Sequence, residues 1–401
     1  VSEVGEARTS LWRLPGMQAL VGVTLLGFAS YSLTLASLPV YAVSGGAAAS
    51  TAGLVTAVFL VVTIAVQSLI PGLTARFGVG PVFVVGLVAM GLPAPLYVLD
   101  DGVLWISILS AVRGAGFAIL TVLGATLSAQ VAPPGRRGES IGLYGLAIAI
   151  PNLVAVPAGV ALVLDDSIGW VAWLSALPLL GLPLVPRLVR SVGPQAAPGH
   201  AGASRAAVLA ALAPSAVLFA VTLAGGGVVT FLPIERPDGV LATAALLVFG
   251  ATGAVTRWGA GRLADGVGTR VLLPLALLVS SAGLLVTGIG LAVGDWWVLA
   301  GAAVFGAGFG AVQNLSLLCA FTRAGESGTT AASAMWNASF DAGTATGALA
   351  LGVVAAGIGL DWTYVVVAAG LAAMLPVAVA GSRPVRGRVS PEGARPPRAG
   401  T

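Results

Sequence analysis

The sequence predicts an all-α integral membrane protein of twelve transmembrane helices, arranged as two pseudo-symmetric six-helix bundles. Three observations predict it. Hydrophobic residues make up 57% of the 401 positions and charged residues only 8%, against about 25% charged in a soluble domain, so most of the surface must face lipid. Apolar runs of about 20 residues, long enough to cross the hydrocarbon core, recur between short polar, Gly or Pro breaks. Finally, when those runs are threaded alternately through the membrane, the arginines collect on one side.

The runs lie near 17–43, 50–72, 81–99, 103–131, 139–164, 168–188, 206–234, 240–262, 271–293, 296–321, 329–358 and 361–381. The break at Asp165, Asp166, Ser167, Ile168 and Gly169 separates spans five and six. With the N-terminus inside, every arginine except Arg113 and Arg236 falls at a cytoplasmic end or loop, while the outer loops carry Asp100, Asp101, Asp165, Asp166, Glu235, Asp238, Asp295 and Asp361. A missed or extra span would scramble this segregation, so the even count stands and both termini are expected in the cytoplasm. The expected organisation is an N-terminal bundle over 1–190, a cytoplasmic linker over 191–205, a C-terminal bundle over 206–382 and a disordered cytoplasmic tail over 383–401, rich in Arg, Pro and Gly and held near anionic lipid heads.

Composition also excludes classes of function. All nineteen basic residues are Arg, with no Lys, which rules out a Walker A lysine and a Schiff-base lysine. Energy from ATP would need a separate subunit, so an ion or substrate gradient is the simpler driving force. Abundant Arg, Ala, Gly and Val without Lys points to a GC-rich bacterial genome and hence to a bacterial cytoplasmic membrane. Cys319 is the only cysteine, so no internal disulfide can form. His200 is the only histidine and sits in a Pro/Gly-rich loop, away from any mid-membrane relay. No metal site, cofactor or nucleic-acid partner is expected. An intramembrane enzyme would need a nucleophile–base pair or a metal cluster at depth, and none is available. Arg8 and Arg13 precede the first apolar run with no small-residue cleavage site, so the run from Met17 reads as a retained span.

The two halves repeat one another. Gly114-Ala115-Gly116-Phe117 in span four matches Gly306-Ala307-Gly308-Phe309 in span ten. Arg136-Arg137-Gly138-Glu139-Ser140 matches Arg323-Ala324-Gly325-Glu326-Ser327. The loop from Pro71 to Gly78 matches the loop from Gly261 to Gly268. Three matches in the same order at nearly one offset argue for duplication. Parallel six-span halves with a binding site at mid-membrane between them are a known transporter plan.

Gly261-Arg262-Leu263-Ala264-Asp265, followed by Gly268 and Arg270, resembles the cytoplasmic loop signature of the major facilitator superfamily, and the resemblance extends over nearly the whole chain. It implies that family's fold and transport by alternating access. In the family the loop acid braces a neighbouring helix end, which implies that Asp265 braces the start of span five near Gly138 to Ser140. An acid is favoured beside a helix N-terminus. The copy after span two is worn: Ala75 replaces the acid and Pro71 the first Gly, leaving the matching brace on span eleven without its carboxylate. Arg113, with Gly114 and Gly116, is similar to the family's span-four Arg motif, associated with proton-coupled members. The sequence is most like the twelve-span drug:proton antiporter branch, although Val156-Pro157-Ala158-Gly159 lacks the central Gly-Pro of the antiporter signature.

Two ionisable residues, Arg113 and Asp341, read as lying deep within spans, where a charge costs about 2.5–3.5 kcal/mol. Arg113 does not release a proton. Its expected role is to tune a carboxylate or hold an anionic group; the alternative is a structural Arg bonded to carbonyls. Asp341 is the candidate proton carrier, since a carboxylate moving between apolar and charged surroundings takes up and releases a proton. Its alternative is structural, bonded to Asn337. Ser333, Asn337, Asp341 and Thr344 form one polar stripe on span eleven, expected to face the cavity. Tyr31, Thr34, Asn152, Thr222, Gln313 and Asn314 are further candidates for its lining. The GxxxG pairs Gly306/Gly310 and Gly343/Gly347 signal close helix contact, and Gly225-Gly226-Gly227 in span seven reads equally as a hinge or as close packing. The functional expectation is a monomeric secondary carrier that exports small amphipathic molecules in exchange for protons. The runner-up is an importer or facilitator of a small polar metabolite.

Overall fold

The computed structural model describes residues 10–47, 49–192, 201–235 and 240–383. His200, Arg236, Asp238, residues 193–200 of the expected linker and the tail beyond 383 lie outside the described residues. Eleven helices are long and apolar enough to cross a membrane, or twelve with one bent pair counted as a single span. They are α1 (Pro15–Ser44), α2 (Ala49–Gln67 and Ile70–Phe77), α3 (Val79–Leu99), α4 (Val103–Gln130), α5 (Arg137–Leu164), α6 (Ile168–Ser191), α7 (Ala201–Glu235), α8 (Val240–Val267), α9 (Thr269–Val293), α10 (Asp295–Ala324), α11 (Thr329–Ile358) and α12 (Leu360–Gly381).

Each expected span has its helix, and the differences lie at the ends. The first part of α7, from Ala201, falls inside the stretch read as linker, because the Ala-rich run there continues the helix. Helix α8 runs on to Val267, five residues past the expected end, and α2 bends by 53° between Gln67 and Ile70. Pro71 explains the bend. It has no N–H to donate, and its ring crowds the carbonyl four residues earlier, which belongs to Gln67.

The repeat seen in the sequence is also a repeat of contacts. Gly114 of α4 lies against the carbonyl of Phe59 in α2, and Gly306 of α10 against the carbonyl of Phe249 in α8. Phe59 packs 5.4 Å from Phe117, and Phe249 packs 5.0 Å from Phe309. Gly78 and Gly268 adopt φ of +82° and +86° between α2 and α3 and between α8 and α9, a left-handed turn that favours glycine. Both GxxxG pairs make close contacts: Gly310 meets Gly253 of α8, while Gly343 and Gly347 meet Phe219 and Leu223 of α7. The triple glycine of α7 is not a break. The helix is continuous, and Gly225, Gly226 and Gly227 receive Phe309, Thr344 and Leu351.

The first six spans touch the last six through α5 against α8 and through α11 against α2 and α4. The contacts of α5 run along its first turns: Gly138 on Gly261, Gly142 on Trp258 and Gly145 on Arg257. Beside them Gln130 donates to Thr329 at 3.3 Å, Ser333 to the Val122 carbonyl at 2.7 Å, and Arg137 pairs with Glu326 at 3.1 Å. The arginine-rich side is therefore sealed.

Since a side chain at Gly310 would strike the Gly253 backbone, Gly310→Leu should lower stability by about 1–3 kcal/mol. Gly250→Leu, where the added carbon meets nothing, should leave thermal unfolding of the purified protein almost unchanged.

Candidate functional site

Asp341 lies about 18 Å along α11 from Thr329, near mid-depth. It is half-buried, and its Oδ2 accepts a 2.8 Å hydrogen bond from Nε2 of Gln67 in α2. That bond joins the two halves. Gln67 is fully buried (0% exposed), and its Oε1 has no partner among the described atoms. Gln67 was not among the sequence candidates. Its signal was Pro71 four residues on, which bends α2 where Gln67 turns toward α11.

The rest of the α11 stripe is turned inward on protein. Asn337 donates to Ser333 O at 2.9 Å and to its Oγ at 3.3 Å, leaving Asp341 to Gln67. Thr344 donates to Phe340 O at 2.9 Å, the self-bonding common for Thr in a helix. Thr222 does the same with Phe219, and Thr34 with Ser30 and Tyr31. Asn152 accepts from Ser32 at 2.5 Å and ties α5 to α1. Asn314 donates to the Gly138 carbonyl at 3.2 Å, in the seam between the halves. Tyr31 belongs to an aromatic wall, stacked on Phe117 at 4.2 Å with Phe28 and Phe59 beside it.

Arg113 is buried (1% exposed) and fully engaged. It donates to Met90 O at 3.0 Å, Ser30 O at 3.2 Å, Ser30 Oγ at 2.8 Å and Tyr97 Oη at 3.3 Å, and its guanidinium lies 5.4 Å from the Tyr97 ring centre. These acceptors are neutral and belong to α1 and α3. None of these bonds reaches Asp341, so the structure does not bring the two sequence candidates together. A cavity of about 20 Å³ beside Arg113, lined by Tyr31, Thr34, Phe59 and Ser110 among others, has room for about one water.

A third ionisable residue within a span is buried. With α8 running to Val267, Arg257 sits about 15 Å from that end. It is only 7% exposed, and its Nη1 donates to Gln313 Oε1 at 2.7 Å. Its place near the cytoplasmic end of span eight gave no sign in the sequence that the side chain is buried.

The last turns of α8, helical where the sequence suggested a loop, bind the start of α5. Asp265 accepts from the backbone N–H groups of Gly138 and Glu139, each at 2.9 Å. These are among the first N–H groups of a helix, which have no intrahelical acceptor and favour an anion. Gly138 and Gly261 stand backbone to backbone, and a side chain on either would strike the other's carbonyl. Arg262 lies 4.1 Å from the Trp258 ring centre and reaches Glu139 at 3.1 Å, while Glu139 also pairs with Arg136 at 2.7 Å. Gly268 supplies the turn into α9, and the Arg270 carbonyl accepts from Ser382. At the start of α11, where Ala75 offers no carboxylate, Gln130 bonds Thr329 and Arg137 pairs with Glu326.

Residues 20–334 match the family model of the Major Facilitator Superfamily. The chain belongs to that superfamily. As a superfamily transporter it shares its fold with solved structures of low sequence identity. The human organic anion transporter MFSD10 (TETRAN) is 15% identical, with 91% of this chain and 99% of that one covered and a TM-score of 0.75. The E. coli fucose:proton symporter FucP is 14% identical, with 93% and 100% covered and a TM-score of 0.71. The proton:xylose symporter XylE is 16% identical, with 91% and 94% covered and a TM-score of 0.67. No curated protein sequence matches the chain.

Asp265→Ala leaves two backbone donors of α5 without their acceptor. It should lower stability by about 0.5–2 kcal/mol, the range for loss of a helix N-terminal cap, measured as a fall in Tm of the detergent-purified transporter.

Proposed function

We propose that this superfamily member is a proton-coupled secondary transporter that exports small amphipathic molecules by alternating access, with Asp341 as the proton carrier. The observation that carries the reading is the Gln67–Asp341 bond, a carboxylate at mid-depth tied to the opposite half. A charged carboxylate makes the stronger acceptor for the Gln67 amide. Protonation weakens that tie, and a weaker tie between the halves favours their rocking apart on the sealed side. Loading and release of one proton thus bias which side of the membrane the site faces.

The lining argues for the class of cargo. Asn152, Asn314, Asn337 and Gln313 are each held by protein partners, whereas Tyr31, Phe28, Phe59 and Phe117 pack as one aromatic cluster, of which Tyr31 and Phe59 line the small cavity beside Arg113. Such a pathway suits amphipathic cargo better than a sugar-like metabolite, so import of a small polar metabolite is the second reading. The solved neighbours transport an organic anion, fucose and xylose, too varied a set to select the cargo. In this reading the transporter works as a monomer in a bacterial cytoplasmic membrane, with both termini inside, as two bundles over 1–190 and 206–382. The arginine-rich face is then cytoplasmic, Gly261, Arg262 and Asp265 at the end of α8 form the gate on that face with Gly268 and Arg270, and Arg113 holds α1, α3 and α4 in register.

Everted membrane vesicles test the reading. Wild type should accumulate a lipophilic dye when a proton gradient is imposed, and Asp341→Asn should reduce that uptake to the level of vesicles lacking the protein. Gln67→Leu should reduce it as well. An Asp341→Asn variant that transports as well as wild type would remove Asp341 from the mechanism.

A further inference from the structure

Arg113 and Arg257 are both buried arginines in spans, yet their surroundings differ. Arg113 has four hydrogen bonds to acceptors in α1 and α3. Arg257 has one hydrogen bond among the described residues, to the neutral amide of Gln313, and its Nε is buried with no acceptor. The next residue repeats the pattern: Trp258 Nε1 is a buried donor without an acceptor. Nearby Glu139 is committed to Arg136 and Arg262. A guanidinium offers a planar fork of donors that matches a carboxylate or sulfonate. Two adjacent residues of α8 thus carry buried donors without an acceptor, one of them charged, and both pack against α5.

Their location gives the anion a way in. Gly142 and Gly145, one turn apart on α5, let its backbone close against Trp258 and Arg257: Gly142 lies on the Trp258 backbone and ring edge, and Gly145 on Nε and Cδ of Arg257. This is the seam between the halves on the arginine-rich side. The same rocking that opens that side draws α5 away from α8 and uncovers both donors.

We infer that Arg257 and Trp258 form an anion subsite that takes the carboxylate or sulfonate of an amphipathic cargo when the α5–α8 seam opens. The inference rests on the transport reading above and narrows its cargo to amphipathic anions. Gln313 is the positioning residue, holding one end of the guanidinium so that the other faces the seam. An anion bound there favours the seam-open state, because the closed state covers the donors with α5.

The test is equilibrium binding of naphthalene-2-carboxylate and its neutral analogue naphthalene-2-carboxamide to the full chain in phosphatidylcholine nanodiscs. Wild type should prefer the carboxylate about ten-fold, the scale by which a charge-assisted hydrogen bond exceeds a neutral one. Arg257→Gln should bring the two affinities together while leaving carboxamide binding unchanged, and Arg257→Lys should retain part of the preference. Trp258→Phe, which keeps the ring and the charge, should lower the preference by a smaller factor and serves where Arg257→Gln does not fold. Asp341→Asn should keep the anion preference, so failure of proton coupling and failure of the subsite read out separately. Equal affinity for the two probes in wild type, no binding of either, or a preference that survives Arg257→Gln overturns the inference. So does loss of the preference when phosphatidylglycerol replaces part of the phosphatidylcholine, since a lipid headgroup would then be the occupant.

Discussion

Water is absent from the hydrocarbon core, so every polar group placed there must find its partner within the protein or bear a cost of several kcal/mol. Much of the structure follows from that constraint. The backbone is helical in every span. Ser and Thr hydroxyls turn back onto their own helix carbonyls, as Thr34, Thr222 and Thr344 do. Glycines bring helices close enough for side chains such as Thr63 to bond the next helix, at Gly114. Arg113 is tolerated at 1% exposure because Ser30, Met90 and Tyr97 surround it with acceptors. Several buried groups break the rule, among them the free Oε1 of Gln67, the Oδ1 of Asn314 and the unmet donors of Arg257 and Trp258.

The scaffold is symmetric and the chemistry is not. Glycine–phenylalanine contacts recur in both halves, Gly114 with Phe59 and Gly306 with Phe249. At the repeat offset, however, the place of Arg113 in α4 falls to Phe305 in α10, a fully buried ring stacked on Phe249. One half is locked by a charge and the other by aromatic packing. The loop carboxylate likewise survives only as Asp265, so α5 is pinned by a charged group while the start of α11 relies on Gln130 and an exposed ion pair with Arg137. Exposed ion pairs contribute about 0–1 kcal/mol, which makes the α11 side of the seal the weaker one.

The candidate site was legible in part, and the misses share a cause. Asp341 was visible because a lone carboxylate in an apolar run has no bland explanation. Its partner was not, since Gln67 is an ordinary residue near a span end until the Pro71 bend turns it toward α11. The burial of Arg257 was not legible, because an arginine near the cytoplasmic end of a span reads as solvated, whereas α8 packs it against α5 and Gln313. Asn152, Gln313 and Asn314 were legible as costly polar residues, but whether such a residue lines a pathway or ties two helices depends on what stands opposite.

By itself the sequence determined the number of spans, their order and the duplicated plan, because hydropathy and positive charge act locally, residue by residue, through transfer free energy and the membrane's asymmetry. It also determined the superfamily, through a loop whose glycines and acid are set by turn geometry and a helix N-terminus. Only the tertiary structure decided which polar groups meet across the spans: Asp341 with Gln67 rather than with Arg113, and Gln313 with Arg257. Those pairings join residues more than fifty positions apart, and they are set by how helices rotate and close against one another, which no local pattern records.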